Sequence, residues 1–256
     1  MANQDTIQKT ITVAFLLCIV CSIIVSGAAV SLRPMQEANK DQDKKKNILL
    51  AAGLYQESQS VDEQFAAIET RLVDLSSGQF VIDGDAAGFE QRKAAKDPAL
   101  SRELSGDEDI AKISRRENRA VVYIVKAGEK VDKIILPIHG YGLWSTLYGF
   151  VALEGDLNTV AGLGFYDHGE TPGLGGEVDN PRWKAIWPGK QVYKEGEVAL
   201  ALLKGATNPQ SANIDYEVDG LSGATLTSRG VTNLLAFWLG ENGFQPFLNN
   251  FKAGKA

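Results

Sequence analysis

Hydrophobic and polar positions divide the chain into three kinds of stretch. The first, ITVAFLLCIVCSIIVSGAAVSL from Ile11 to Leu32, contains no charged residue. At about 1.5 Å per helical residue it covers about 33 Å, matching a hydrocarbon core of roughly 30 Å, so the pattern predicts one transmembrane helix. A cleaved signal peptide is the competing reading, kept open by the small residues of SGAAV, but it needs a shorter apolar core. Residues 1–10 form an N-terminal tail on this reading, and RPMQEANKDQDKKKN (33–47) predicts a polar stalk or the start of a surface helix.

The second stretch, 48–118, has apolar residues mostly three and four apart. NILLAAGLY and VDEQFAAIETRLVDL show this spacing, and SRELSGDEDIAKISRREN is charged enough for an exposed helix, so a mostly helical region is expected. From about residue 119 the pattern changes. AVVYIV (120–125), DKIILPI (132–138), LYGFVAL (147–153) and TVAGLGFY (159–166) are rich in Val, Ile and aromatic residues and are separated by short turns, which favours antiparallel hairpins. NPRWKAIW predicts a helix and EVALALL (197–203) a strand. A final helix from about Thr225 to Leu239 places Val231, Leu234, Leu235, Trp238 and Leu239 on one face. The expected fold over 119–250 is α+β, an antiparallel sheet with flanking helices, followed by a C-terminal tail at 251–256.

A composition of 44% hydrophobic and 23% charged residues supports a substantial core. The net charge is −6. Asp5 and Lys9 cancel before Leu32, so the acidic excess lies in the polar part, which argues against a nucleic-acid partner. Both cysteines, Cys18 and Cys21, fall inside the apolar run and read as small apolar helix residues; the rest of the chain has no disulfide and no thiolate metal site. Only Lys9 precedes the run, whereas Arg33, Lys40, Lys44, Lys45 and Lys46 follow it. That count puts the large domain in the cytoplasm, but large domains translocate despite flanking charge, so charge leaves the side open.

The candidate chemistry lies in DGLSGATLTSRGV (219–231), where Ser222, Thr225, Thr227 and Ser228 gather with Gly220 and Gly223 at the mouth of the final helix. A helix start offers unpaired amides and the positive end of its dipole, a seat for an anion. Plain N-capping is the competing reading. GLSGA lacks the spacing of a nucleophile elbow, WPGKQ lacks the hydroxyl of a phosphate loop, and GLGFYD and GLGGEV lack the third glycine of a dinucleotide turn.

The pattern Asp219-x-x-Ser222-Gly223-Ala224-Thr225-x-Thr227 resembles the signature of FMN-binding domains in which the flavin phosphate is esterified to a threonine, here the position of Thr225. HGYGLWSTLYGF (139–150) and YDHGETPGLGGEV (166–178) resemble the family's other flavin-contacting segments. With the N-terminal apolar helix, the resemblance covers nearly the whole chain. The chain is similar to the C subunits of sodium-translocating NADH:quinone reductases, with the G subunits of Rnf-type ion pumps as the related alternative.

The resemblance implies covalent FMN on Thr225, with Ser222, Gly223, Ala224, Leu226 and Thr227 around the phosphate and Asp219 in a structural role. Trp144, beside Ser145, would lie against the isoalloxazine, although an ordinary core tryptophan fits the same sequence. Glu170 and Thr171 are expected to hydrogen-bond ring or ribityl atoms, while Pro172, Gly173, Gly175 and Gly176 shape a turn around Leu174. Lys204 is expected near the phosphate or a reduced anionic flavin. His139 and His168 lack the companions of a metal site.

The same resemblance implies an electron relay between neighbouring subunits, with no complete catalytic activity in this chain alone. Attachment would come from a separate flavin transferase using FAD and magnesium. The flavin domain would lie on the periplasmic face of a bacterial inner membrane, and the uncharged transmembrane helix offers no ion pathway. Two other classes remain open: a membrane-tethered module that binds a phosphorylated ligand without redox chemistry, and a hydrolase using Ser222 and His168.

Overall fold

The computed structural model describes residues 6–256. These form two units divided at Asp43 and Lys44. Helix α1, Ile7–Ala51, runs through the boundary and is long and apolar enough to cross a membrane, with none of its apolar stretch buried. Of the expected tail 1–10, residues 1–5 lie outside the described residues, while Ile7 to Thr10 already belong to the helix. The expected stalk is helical as well, because its Lys, Gln, Glu and Ala positions suit a helix and Arg33 pairs with Glu37 one turn on at 2.9 Å.

In the second unit the last turns of α1 bury Ile48, Leu49 and Ala51. The helix closes at Gly53, whose φ of +68° is the left-handed position glycine serves at a helix end. A short α2 (Val61–Phe65) follows, started by the capping box of Ser60 and Glu63. Next come β1 (Ile68–Asp74), β2 (Gln79–Phe80), α3 (Gln91–Ala94), β3 (Ser101–Glu103) and β4 (Arg115–Glu117).

The mostly helical region expected at 48–118 is therefore corrected: beyond the end of α1 it holds four strands and two short helices. Ile68 and Leu72 are four apart, a spacing that places residues on one face of a helix and equally on one face of a strand. Pairing with a strand some fifty residues on decides between them, with Ile68 opposite Val125 and Leu72 opposite Val121. In the charged stretch, Asp109 accepts from the amides of Ile113 and Ser114, and Lys112 and Ser114 have positive φ, which ends any helix there.

β5 (Arg119–Ala127), β6 (Lys130–Tyr141) and β7 (Thr146–Glu154) contain three of the expected strands and extend them by a few residues, and β8 (Val160–Asp167) is the fourth, shifted by one residue. With β1 and β2 they form a six-stranded antiparallel sheet in the order β2-β1-β5-β6-β7-β8. Then α4 (Pro181–Lys184) makes one turn on the Asn180 cap. The single strand expected at 197–203 is broken, because Ala199 and Leu200 both donate to the carbonyl of Val192 and bend the chain. One part pairs as β9 (Tyr193–Lys194) with β10 (Glu197–Val198), the other as β11 (Ala201–Leu202) with β12 (Glu217–Val218). Helix α5 spans Thr225–Leu239 as expected, and α6 (Gln245–Lys252) takes in the first two residues of the expected C-terminal tail.

Each face of the sheet carries a core. The end of α1 covers Tyr123, Ile135 and Phe150, while α5 covers Ile134, Leu136 and Ile138 on the other side. The predicted α5 face of Val231, Leu234, Leu235, Trp238 and Leu239 is fully buried. Two glycines set how close α5 comes to β6. A Cβ on Gly140 would stand 2.5 Å from that of Leu234, and one on Gly230 would stand 2.5 Å from the Tyr141 carbonyl oxygen. Close packing there brings the first turns of α5 onto the turn between β6 and β7.

Candidate functional site

Three segments meet at that point: the turn Gly142–Ser145, the loop His168–Gly176 after β8, and the first turn of α5. Glu170 joins them. It is buried, and its Oε1 accepts from the amides of Leu143, Trp144 and Ser145 at 3.0, 2.9 and 3.3 Å. Its Oε2 accepts from the Thr227 hydroxyl at 2.7 Å, and Thr227 is fully buried. Burial alone would raise the pKa of this carboxyl. The bonds from Thr227 and the three amides outweigh that effect and hold it below the ordinary glutamate value. Both its oxygens are engaged by protein donors, so Glu170 ties the turn and the helix together.

Gly175 has a related place. A Cβ there would meet Glu170 Oε2 and Thr227 Oγ1, each at 2.6 Å, so this glycine makes room for the carboxylate and the hydroxyl. Gly142 does the same for Oε1, and no local sequence signal points to it.

The four hydroxyls of the helix mouth divide into two pairs. Ser228 accepts from the Leu221 amide at 2.9 Å and donates to the Ala224 carbonyl at 3.1 Å, so it and Thr227 face inward. Ser222 and Thr225 are exposed, and among the described residues neither hydroxyl has a protein partner. Capping does not account for the cluster, since the N-cap is Ala224 and no side chain caps the helix. The amides of Thr225, Leu226 and Thr227 are without acceptors among the described residues. Around this open helix start stand exposed apolar side chains: Trp144 at 66%, Leu226 at 51% and Leu174 at 44% exposure. Leu174 reaches the helix mouth, with its Cδ2 3.0 Å from where a Cβ on Gly223 would be; Gly223 has φ +71°.

Asp219 serves the backbone, accepting from the Thr207 amide at 2.7 Å, while its carbonyl accepts from the Trp183 indole at 2.9 Å. Lys204 is exposed beside Gly205, whose carbonyl accepts from Gly220 at 2.9 Å. Thr171 is exposed, and its carbonyl closes the loop by accepting from Leu174 and Gly176. The Ser145 hydroxyl accepts from Gly169 at 2.6 Å, a second tie between the turn and the loop.

The hydrolase pair is not assembled. His168 Nδ1 accepts from the Glu170 amide at 3.2 Å, which leaves Nε2 to donate to Asp179 at 2.8 Å, and neither nitrogen meets Ser222. His139 lies away from the site, stacked on Tyr148 with centroids 5.5 Å apart. Burial first, and the Arg92 charge second, push its pKa down to about 4.

An open helix start with free hydroxyls, flanked by exposed apolar side chains on an antiparallel sheet, offers a seat for an anion beside an apolar surface, and residues 142–240 match the FMN-binding domain. Over its whole length the chain is 55% identical to the C subunit of the Na(+)-translocating NADH-quinone reductase of Pseudomonas aeruginosa, covering all of both. It is 53% identical to the protein of that name from Vibrio vulnificus, covering 99% of each. The crystal structure of Shewanella oneidensis NqrC aligns with a TM-score of 0.78 at 38% identity, over 84% of this chain and 99% of that one. The chain belongs to the family of C subunits of Na(+)-translocating NADH-quinone reductases.

Proposed function

We propose that this chain holds FMN as a phosphoester of Thr225 and relays electrons as one subunit of a membrane-bound Na(+)-translocating NADH-quinone reductase. The observation that carries the reading is the exposed, unpartnered Thr225 hydroxyl on the uncapped first turn of α5. The free amides of residues 225–227 and the positive end of the helix dipole suit a phosphate dianion. The Ser222 hydroxyl adds a donor on the exposed side, and Lys204, in the bend after β11, adds positive charge. Trp144, Leu174 and Leu226 offer an apolar surface to a flat heterocycle.

FMN supplies the capacity to take up and release one or two electrons. The protein's part is to keep it from dissociating and to set its surroundings. In attachment, the Thr225 oxygen forms the new bond to the FMN phosphorus as the phosphoanhydride bond of FAD breaks. AMP leaves, and the hydroxyl proton is given up. A separate magnesium-dependent transferase supplies this reaction. The apolar part of α1 anchors the chain by a single pass, with the flavin domain on the periplasmic side of a bacterial inner membrane. A reporter fused after Ala256 tests that side.

The functional test compares the full chain with Thr225→Val, each coexpressed with the transferase. Fluorescence that stays with the denatured parent band and is missing from the variant supports the reading. Fluorescence retained by the variant removes the acceptor assignment, and a colourless parent points to a module that binds a phosphorylated ligand without redox chemistry.

A further inference from the structure

A carboxylate offers about four lone-pair positions, and Glu170 receives four protein donors: three successive amides on Oε1 and the Thr227 hydroxyl on Oε2. Oε1 is saturated by the turn, and Oε2 is tied to α5 by the Thr227 hydroxyl. The carboxylate therefore stands between the parts of the site. Trp144 donates one of the bonds through its own amide. Thr225 lies two residues before Thr227 on α5, and Leu174 lies next to Gly175, which packs against both Oε2 and the Thr227 hydroxyl. The chain leaves room for the carboxylate at two points, since a Cβ on Gly142 or on Gly175 would stand 2.6 Å from one of its oxygens. Its own backbone is held too, because the Glu170 amide donates to His168, which donates to Asp179.

We propose that Glu170 is the positioning residue of the flavin site: its carboxylate ties the Trp144 turn to the first turn of α5 and sets their spacing before any flavin is attached. The clamp itself stands on protein contacts alone; its use for FMN rests on the function proposed above.

Two measurements on the full chain in detergent separate these parts. The first is amide hydrogen exchange in the flavin-free protein. Glu170→Ala is expected to speed exchange at Leu143, Trp144 and Ser145 by about tenfold or more, in keeping with the loss of hydrogen bonds to a charged group, while Ile134 to Ile138 of β6 keep their protection. Unchanged protection at residues 143–145 overturns the proposal. The second is the rate of covalent flavin incorporation with transferase and FAD, followed for Thr227→Val and Thr227→Ser. The valine removes the hydroxyl and leaves Oε2 buried without its donor, and incorporation should fall about tenfold; the serine should restore it to within about twofold of the parent. Equal rates for the two variants overturn the positioning role, and this pair decides the matter if Glu170→Ala does not fold. Were Thr225→Val also to become flavinylated, the acceptor assignment would fail while the exchange result still judged the clamp.

Discussion

Truncating Trp144 to Ala separates a core tryptophan from one that faces a ligand. In a packed core such a truncation costs about 3–5 kcal/mol. Trp144 is 66% exposed, so about a third of its surface is covered by protein. Of a residue that buries up to about 250 Å², that is about 85 Å², or about 2 kcal/mol at roughly 25 cal/mol per Å². Ala keeps part of this contact, so the flavin-free variant should lose at most about 2 kcal/mol. For a folded unit of this size that is a drop of less than about 8 °C in Tm. With flavin attached, losing the indole should remove a further stacking contribution of about 1–3 kcal/mol. The assay is thermal unfolding of parent and variant, each with and without flavin, followed by near-UV circular dichroism. The expected result is a small shift without flavin and a larger one with it. A loss above about 3 kcal/mol in the flavin-free variant, or equal shifts in both forms, would refute the assignment of Trp144 to the ligand face.

Gly175→Ala forces a methyl to 2.6 Å from two buried atoms that are hydrogen-bonded to each other, and should cost about 1–3 kcal/mol in denaturant unfolding. His139 has its pKa pushed from 6.5 down to about 4, so its contribution, about 3 kcal/mol, is complete above pH 6.5 and is lost as pH falls through about 4. Unfolding of His139→Gln measured from pH 8 to pH 4 should show a correspondingly shallower loss. Glu117 is fully buried, and burial, only partly opposed by a bond from Gln91, pushes its pKa up to about 7. Its contribution is complete below pH 4.5 and is lost as pH rises through about 7. Glu117→Gln should therefore gain up to about 3 kcal/mol on the parent between pH 4 and pH 8 in the same assay.

The sheet's central strands and α5 are legible in the sequence because their periods are unambiguous: β-branched and aromatic runs between short turns, and five apolar positions on one helical face that are all buried. The region 48–118 is not, since the four-residue step from Ile68 to Leu72 fits both periods and only the distant β5 decides. The hydroxyl cluster at 222–228 stands out as a group, whereas its division into two pairs comes from the structure. The phase of α5 carries that signal, for Thr227 lies four residues before Val231 and turns inward with it, while Thr225 does not. Glu170 can be picked out beside Pro172 and Gly173, yet its donors lie 25 to 57 residues away, so its role toward the protein leaves no local trace.

The most direct test of the central claim is the intact mass of the full chain purified after coexpression with the transferase, followed by fragmentation to locate any added group. One FMN less one water, carried on the side chain of Thr225, is the predicted result. An unchanged mass, or the same addition found on another residue, would contradict it.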